Sequence, residues 1–415
     1  MMNKKNMVIA ILLILSISVK AQNDIDVLTI EDAINYALKH NPTILSLEKS
    51  IDIKRAEKWK SLGIDTPEIS YMKEGIKTGE DGYFEKRYSI TQSIDFPLKS
   101  FFNFQSNSDE VSSLELNYEA KKRELKVGVK SAYVEVLASI ALEKLREKQL
   151  ELSKDLFNAV SYRVTAGVSS ELELLKANIK LDESKNDLDE ATRIYHQSRY
   201  SLFNMVGLDP EAQSYTISYE DSLSFKELQL DQESILSLIP EQPEILSLEA
   251  KLNAANQKVN SAWSGILPKL NFSYYLQDIG SGYDYHGYEI GVSVPIWFLM
   301  NEAQDISIAN TEMKLVEWSK QDLYLKLKKE IELSWHSYET SKATINRYEG
   351  NILKRAKELL DLTLDGYQIG KIDLLNLLYA QETYLSSQLN YIEALKNYYI
   401  KVIELEKYLN KELVF

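Results

Sequence analysis

The 415-residue chain is written twice. Asn41-Pro42-Thr43-Ile44-Leu45-Ser46-Leu47-Glu48 returns as Gln242-Pro243-Glu244-Ile245-Leu246-Ser247-Leu248-Glu249, and Pro67 returns as Pro268 at the same offset of 201 residues. Further on, the run from Gly167 to Ala177, Gly-Val-Ser-Ser-Glu-Leu-Glu-Leu-Leu-Lys-Ala, matches the run from Gly370 to Ala380, Gly-Lys-Ile-Asp-Leu-Leu-Asn-Leu-Leu-Tyr-Ala, at an offset of 203. Self-similarity on this scale means that one structural unit is built twice.

Proline placement divides each unit into elements. All eight prolines (42, 67, 97, 210, 240, 243, 268 and 295) lie between patterned segments, and none falls within 98–209 or 296–415. An interior proline costs a helix ~3 kcal/mol, so both of those stretches are free to be long helices. Gly167 and Gly370 are their natural turn points. The first half reads as a helix from about 42 to 66, a strand pair, a helix from about 98 to 164, a turn, and a helix from about 169 to 206. At ~1.5 Å per residue the middle helix spans roughly 90 to 100 Å. The simplest arrangement lays the two shorter helices end to end beside it. The last helix of each half carries a seven-residue stripe, Leu174, Leu181, Leu188, Tyr195, Leu202 and then Leu377, Tyr384, Tyr391, Tyr398, Leu405, which is coiled-coil spacing.

The strands alternate. Tyr88, Ile90, Gln92, Ile94 and Phe96 oppose Ser89, Thr91, Ser93 and Asp95; Leu270, Phe272, Tyr274 and Leu276 oppose Asn271, Ser273, Tyr275 and Gln277; Tyr288, Ile290, Val292, Val294 and Ile296 oppose Glu289, Gly291 and Ser293. About nine residues with one apolar face is the pattern of a tilted membrane strand. Tyr83, Phe84, Tyr88, Phe96, Tyr283, Tyr285, Trp297 and Phe298 lie where membrane-interface aromatics belong. The glycine-bearing loops 77–82 and 280–282 make one hairpin per half. Two amphipathic hairpins capping a soluble helical body would show the same alternation. Inside a membrane, four strands cannot close a barrel, and an open edge cannot sit in hydrocarbon. Copies must then pool strands: two give eight, a barrel filled by side chains, and three give twelve, the smaller number that leaves a pore.

Composition excludes other classes. Lys and Arg number 48 against 62 Asp and Glu, a formal charge of −14, so there is no basic excess for nucleic acid or for an anionic membrane surface. The absence of Cys removes disulfides, thiolate metal sites and cysteine nucleophiles. His40, His196, His286 and His336 lie in unrelated segments, and no nucleophile elbow or phosphate loop accompanies them. Met72, Met205, Met300 and Met313 do not cluster, so a copper or silver pathway is not indicated. Neither enzymatic activity nor a cofactor is expected. Lys4 and Lys5, the apolar run Val8 to Ile17, and Val19-Lys20-Ala21 read as a signal peptide over 1–21, placing the mature end at Gln22; a membrane anchor is the competing reading, but the run is short of the ~20 residues a span needs. Without a Cys after it, that end carries no lipid.

The opening Leu28-Thr29-Ile30-Glu31-Asp32-Ala33-Ile34-Asn35-Tyr36-Ala37-Leu38-Lys39-His40-Asn41-Pro42, the duplicated helix–hairpin–helix halves and the two Gly-to-Ala turns together resemble the TolC-type outer-membrane efflux protein family, over essentially all of 28–410. Thr29 and Asp32 form a capping box on their own physics, with Ile30, Ala33, Ile34, Ala37 and Leu38 as the stripe to be buried. The resemblance implies a mainly α protomer whose hairpins pool into a trimeric twelve-stranded outer-membrane barrel, continued by a periplasmic α-barrel. It further implies docking to a periplasmic adaptor (membrane fusion protein) and an inner-membrane pump of RND or ABC type, contact with outer-membrane lipid, and none with nucleic acid. On this reading 22–41 is an N-terminal periplasmic segment, 42–209 the first repeat with its hairpin at 68–96, 210–242 an equatorial linker, 243–410 the second repeat with its hairpin at 269–296, and 411–415 a tail.

In the resembling family the entrance carries a Tyr three residues before the second turn glycine, a basic residue two after it, and acids six and nine after it. Here Tyr367 matches, and Glu173 matches the acid six after the first turn glycine, but the remaining positions hold Ile372, Asn376 and Tyr379, with Lys371 and Asp373 one residue away. Glu173, Tyr367, Asp373 and Asn376 are the expected constriction, and Gly167, Val168, Ser169, Gly370, Lys371 and Ile372 the expected adaptor-contact turns. Two functions remain open at this point: a passive exit duct of a tripartite efflux or type I secretion system, with a weakly cation-preferring lumen, or an exported coiled-coil scaffold without a pore.

Overall fold

The structure is a computed structural model that describes residues 29–76, 82–208, 219, 222–280, 282–283, 285–409 and 411–414. The expected signal peptide and most of the first hairpin loop lie outside the described residues. So does most of 209–221.

Helix α1 (Ile30–His40) is followed by α2 (Pro42–Lys60), strands β1 (Glu68–Glu74) and β2 (Glu85–Ile94), α3 (Pro97–Thr165) and α4 (Glu171–Val206). The second half holds α5 (Gln232–Ser237), α6 (Pro243–Ser264), β3 (Lys269–Asp278), β4 (Tyr285–Ser293), α7 (Glu302–Arg347), a π turn (Tyr348–Ile352), α8 (Leu353–Gln368) and α9 (Leu374–Leu409). Thr29 caps the helix as expected, its Oγ1 accepting from the Asp32 N–H at 3.2 Å, while the Asp32 carboxylate returns to the Thr29 hydroxyl, which donates to it at 2.7 Å; Ile30, Ala33, Ile34 and Ala37 are buried. Leu38 is only half-buried. Helix α2 stops at Lys60, short of the expected 66, because Ser61 and Gly63 end it and Thr66, which precedes Pro67, is biased to extended backbone. Helix α7 begins at Glu302 after a turn in which the Met300 N–H reaches the Trp297 carbonyl at 2.9 Å. The π turn that separates α7 from α8 has no sequence precedent in the first half, where α3 runs unbroken for 69 residues.

The four strands form one antiparallel sheet in the order β1-β2-β3-β4, and the two hairpins join through β2 and β3 from Lys86↔Asp278 to Ile94↔Leu270. The helices continue this order as a wall. Helices α2 and α4 both pack on α3; α3 packs on α6 in one part and α9 in the other; α7 packs on α6 and α9, and α8 on α9. Each strand therefore feeds the helix that lies in its own file.

The short helices stack end to end through a side chain at each joint. Asn41 caps α2, its Oδ1 accepting from the Thr43 N–H at 2.9 Å, while its Nδ2 donates to the Met205 carbonyl in the last turn of α4 at 3.1 Å. Gly207 ends α4 at φ +84°, and a Cβ there would lie 3.4 Å from the His40 carbonyl oxygen. In the second half Gln242 Nε2 donates to the Tyr408 carbonyl, in the last turn of α9, at 2.9 Å. The same joint is thus built twice with different amides.

The two heptad stripes behave differently. Leu377, Tyr384, Tyr398 and Leu405 are buried as the spacing requires, with Tyr391 half-buried. In the first half only Leu202 is; Leu174, Leu181, Leu188 and Tyr195 are half-buried, and the buried line is Ala177, Ser184 and Ala191. Small side chains let α4 approach α3 closely enough for the Ser184 and Ser153 hydroxyls to bond at 2.7 Å, which rotates the larger residues toward the rim.

Candidate functional site

Two regions carry the expected site residues, the sheet and the pair of helix turns at the far end of the wall. The sheet is inside out for a soluble protein. Its apolar face is open, with Tyr288 74% and Ile290 69% exposed, alongside Ile69, Tyr71, Tyr88, Ile90, Phe272 and Val292. Its polar face is tied by cross-strand hydroxyl and amide bonds: Ser70 to Ser89 at 2.7 Å, Thr91 to Ser273 at 2.8 Å, and Asn271 Nδ2 to Ser293 at 2.7 Å. Side chains of a strand alternate between faces, so this division follows from the sequence period alone.

The expected interface aromatics separate into two groups. Tyr83, Phe84, Tyr88 and Tyr283 gather at the hairpin end, where the Tyr71, Tyr88 and Tyr283 rings follow one another at centroid distances of 4.7 and 5.4 Å. Phe96, Trp297 and Phe298 are exposed at the helix end, beside Phe101. Tyr285 starts β4 at the hairpin end too, but it pairs with Gln277 on the polar face, away from those rings. Strands of 9 and 10 residues (β4 and β2) set the groups roughly 30 Å apart along the strand.

The turns are helix ends of one design. Gly167 and Gly370 both adopt φ +75°, and the next residues close the helix: the Val168 N–H bonds the Arg163 carbonyl at 3.0 Å, and the Lys371 N–H bonds the Gly366 carbonyl at 2.8 Å. Ser170 caps α4 by accepting from the Glu173 N–H at 3.3 Å, and Asp373 caps α9 by accepting from the Asn376 N–H at 2.9 Å and its Nδ2 at 3.0 Å. Glu173 also accepts from the Ser169 hydroxyl. The structure brings all ten expected residues, Glu173, Tyr367, Asp373, Asn376, Gly167, Val168, Ser169, Gly370, Lys371 and Ile372, onto one groove of about 720 Å³.

Arg163 lines the same groove, and nothing in the sequence marked it. Its Nη1 donates to the Tyr367 carbonyl at 3.0 Å, and its guanidinium lies 4.9 Å from the Tyr367 ring centroid. Tyr367 is only 4% exposed, and burial pushes its phenol up despite the neighbouring Arg163. At the repeat-equivalent position stands Gly366, where a Cβ would meet Ile372 Cδ1 at 2.5 Å, so the two turns have diverged at the contact. Arg163 and Tyr367 also close one end of a second, more apolar groove of about 620 Å³, walled by Leu152, Leu156 and Ala159 of α3 and by Leu360 and Leu364 of α8. Among the described residues no carboxylate and histidine group is placed to hold a metal ion, and no helix is long and apolar enough to cross a membrane.

Comparison with known proteins agrees with this geometry. The model of the outer membrane efflux protein family matches residues 33–208 and 236–411, one match per repeat. The pyoverdine export outer membrane protein OpmQ of Pseudomonas aeruginosa is 23% identical over 313 residues, covering 74% of this chain; the chain spans 65% of that relative's length. The outer membrane channel CmeC of Campylobacter jejuni has the same fold at a TM-score of 0.80, with 18% identity over 91% of this chain and 85% of that one. The open state of the MtrE outer membrane channel of Neisseria gonorrhoeae follows at 0.75, with 16% identity over 92% and 88%. The duplicated wall, the inside-out sheet and the family match over both repeats lead to one assignment: the chain belongs to the outer membrane efflux protein family.

Proposed function

We propose that three copies of this chain form a passive exit duct through an outer membrane, gated at the helix turns and performing no covalent chemistry. One observation carries the reading: the sheet and the helical wall end at the same two edges. On one side lie β1, α2 and α4, with Ile53, Trp59, Leu172, Leu175 and Ile179 exposed; on the other lie β4, α7 and α8, with Ile308, Leu315, Trp318, Leu325 and Leu362 exposed. A single head-to-tail contact then pairs β4 with the next copy's β1 and covers both apolar helix edges, and repeating it closes a ring. Three copies supply twelve strands, enough for a pore. The exposed apolar sheet face faces lipid, which favours the duct over a soluble scaffold.

In this reading 1–21 directs export and is removed, the mature end carries no lipid, and the rest divides into an N-terminal segment 22–41, the repeats 42–209 and 243–410 joined by 210–242, and the tail 411–415. Glu173, Tyr367, Asp373 and Asn376, joined by Arg163, constrict the entrance. The turns at Gly167 and Gly370 receive a periplasmic adaptor coupled to an inner-membrane pump. The native mass of protein extracted from outer-membrane fractions in mild detergent, corrected for bound detergent by light scattering, tests the reading. Three chains in the membrane fraction are expected; a single chain, or an oligomer found only in the soluble fraction, overturns it.

A further inference from the structure

Apart from Gln92 near the helix end, the open face of the sheet is apolar until its hairpin end. There Lys73 of β1 stands directly opposite Lys86 of β2 in the ladder, both side chains half-buried. Like charges directly opposed across strands destabilise a sheet. The ion pair of this region, Arg87 with Glu85 at 2.7 Å, lies on the polar face; among the described residues neither Lys73 nor Lys86 has a carboxylate within ion-pair distance. Lys86 is also the ladder partner of Asp278, whose carboxylate is hydrogen-bonded by Tyr83, Gly280 and Gly282 and offsets only part of the charge of the two ammonium groups.

An aromatic ring organises the two cations. The Lys86 Nζ lies 3.7 Å and the Lys73 Nζ 5.8 Å from the centroid of the Tyr83 ring. That ring is anchored from the other hairpin: Tyr83 Oη donates to Asp278 Oδ2 at 2.6 Å, while Asp278 Oδ1 accepts from the Gly280 and Gly282 N–H groups at 2.8 and 2.9 Å. The second hairpin thus holds a residue of the first, and through it two ammonium groups, in a fixed position. Directly below, toward the helices, the same face continues as Tyr71 and Tyr88 and then Ile69 and Ile90.

We propose that Lys73, Lys86 and Tyr83 form a binding site for the phosphate of an anionic membrane lipid, whose acyl chain lies along Tyr88 and Ile90. A phosphate between the ammonium groups relieves the like-charge pair, and the apolar column beneath it accommodates a chain that a free anion lacks. The chain's overall acidity acts weakly here, since salt screens charges beyond about 10 Å; within that range Asp278 offsets one part of the ammonium charge and the like-charge pair remains. The site rests on the reading of the sheet as part of a membrane barrel.

The test uses the assembled protein in phosphatidylcholine vesicles carrying a minor fraction of phosphatidylglycerol, with bound lipid counted by native mass spectrometry. Wild-type protein is expected to retain phosphatidylglycerol over phosphatidylcholine by on the order of tenfold. Lys73→Gln with Lys86→Gln abolishes that preference, Lys73→Arg with Lys86→Arg keeps it, and Tyr83→Phe, which keeps the ring but loses its anchor, falls between. An equal preference in the wild type and the double Gln variant overturns the site. Displacement of the lipid by inorganic phosphate alone overturns the lipid assignment in favour of a small-anion site. Should the Gln variant fail to insert, the wild type decides: a preference unchanged by raised salt overturns the site, and one that weakens supports it. Flotation with the vesicles is scored first. Wild-type protein that does not float refutes the barrel and this site with it, whereas protein that floats without lipid preference refutes the site alone.

Discussion

At the scale of single residues, what holds this wall together is a handful of side chains that serve two elements each. Asn41 satisfies a donor at the start of α2 and an acceptor at the end of α4, so Asn41→Ala removes both a cap and a bridge. A lost cap costs about 1 kcal/mol and an unpaired acceptor a similar amount, so the variant is expected to lose about 2 kcal/mol in denaturant unfolding. Asn41→Asp, which keeps the cap but sets a carboxylate oxygen against the Met205 carbonyl, should recover at most the cap's share. Arg163 holds Tyr367 through its backbone carbonyl and ring face, not through its hydroxyl. Tyr367→Phe is therefore expected to leave single-channel conductance close to wild type, while Arg163→Gln raises it by freeing the α8 end; the reverse order would show that the phenol itself is the latch. Tyr367 was named from the family resemblance, by its place three residues before a turn glycine. Arg163 was not, because its partner lies 204 residues away and its repeat-equivalent is a glycine.

At the scale of elements, charge joins helices whose own apolar stripes are narrow. Glu110 of α3 pairs with Lys54 of α2 and, at 2.6 Å, with Lys258 of α6. Burial alone would push this carboxyl up, but the two ammonium groups outweigh it and hold the pKa below its ordinary value of 4.5. A carboxyl lowered on folding contributes stability that is present above 4.5 and lost as the pH falls through the folded value. Amide-exchange protection of α2 is expected to fall on acidification below that value in the wild type, and Glu110→Gln should be weaker at neutral pH but flatter across the same range. Helix existence and turn position were readable because caps, prolines and glycines act within a few residues. The π turn at Tyr348–Ile352 and the small-residue seam of Ala177, Ser184 and Ala191 were not, since each depends on what the helix meets across the interface.

At the scale of the whole molecule, three tyrosines fasten the otherwise irregular 222–230 segment across the wall. Tyr338 donates to the Leu228 carbonyl at 2.6 Å, Tyr398 to that of Lys226 at 3.1 Å, and Tyr399 to that of Ser224 at 2.6 Å, and burial pushes the Tyr338 and Tyr398 phenols up to about 12. These contacts tie that segment into the protomer, whose two helix edges still expose Trp59 and Leu172 on one side and Leu315 and Trp318 on the other. Trp318→Glu, at an exposed position on the α7 edge, is accordingly expected to yield single chains in detergent with unchanged helical circular dichroism, because it charges the contact proposed between copies and touches no protomer core. Trimers of undiminished stability would place the contact elsewhere.

The amino-acid order by itself determined the duplication, the helix and strand periods, the helix cap at Thr29 and the two turn glycines, because dihedral preference and side-chain period are local properties. It also determined which strand face is apolar, since a strand alternates whatever it packs against. Only the tertiary structure decided that β2 joins β3, that the strand order and the helix order coincide, and that Arg163 meets Tyr367 and Tyr83 meets Asp278. Those pairings unite residues nearly 200 positions apart, and the two copies of the repeat no longer carry matching side chains there. The return path of the chain, set by burial of whole helix faces, is what brings them together.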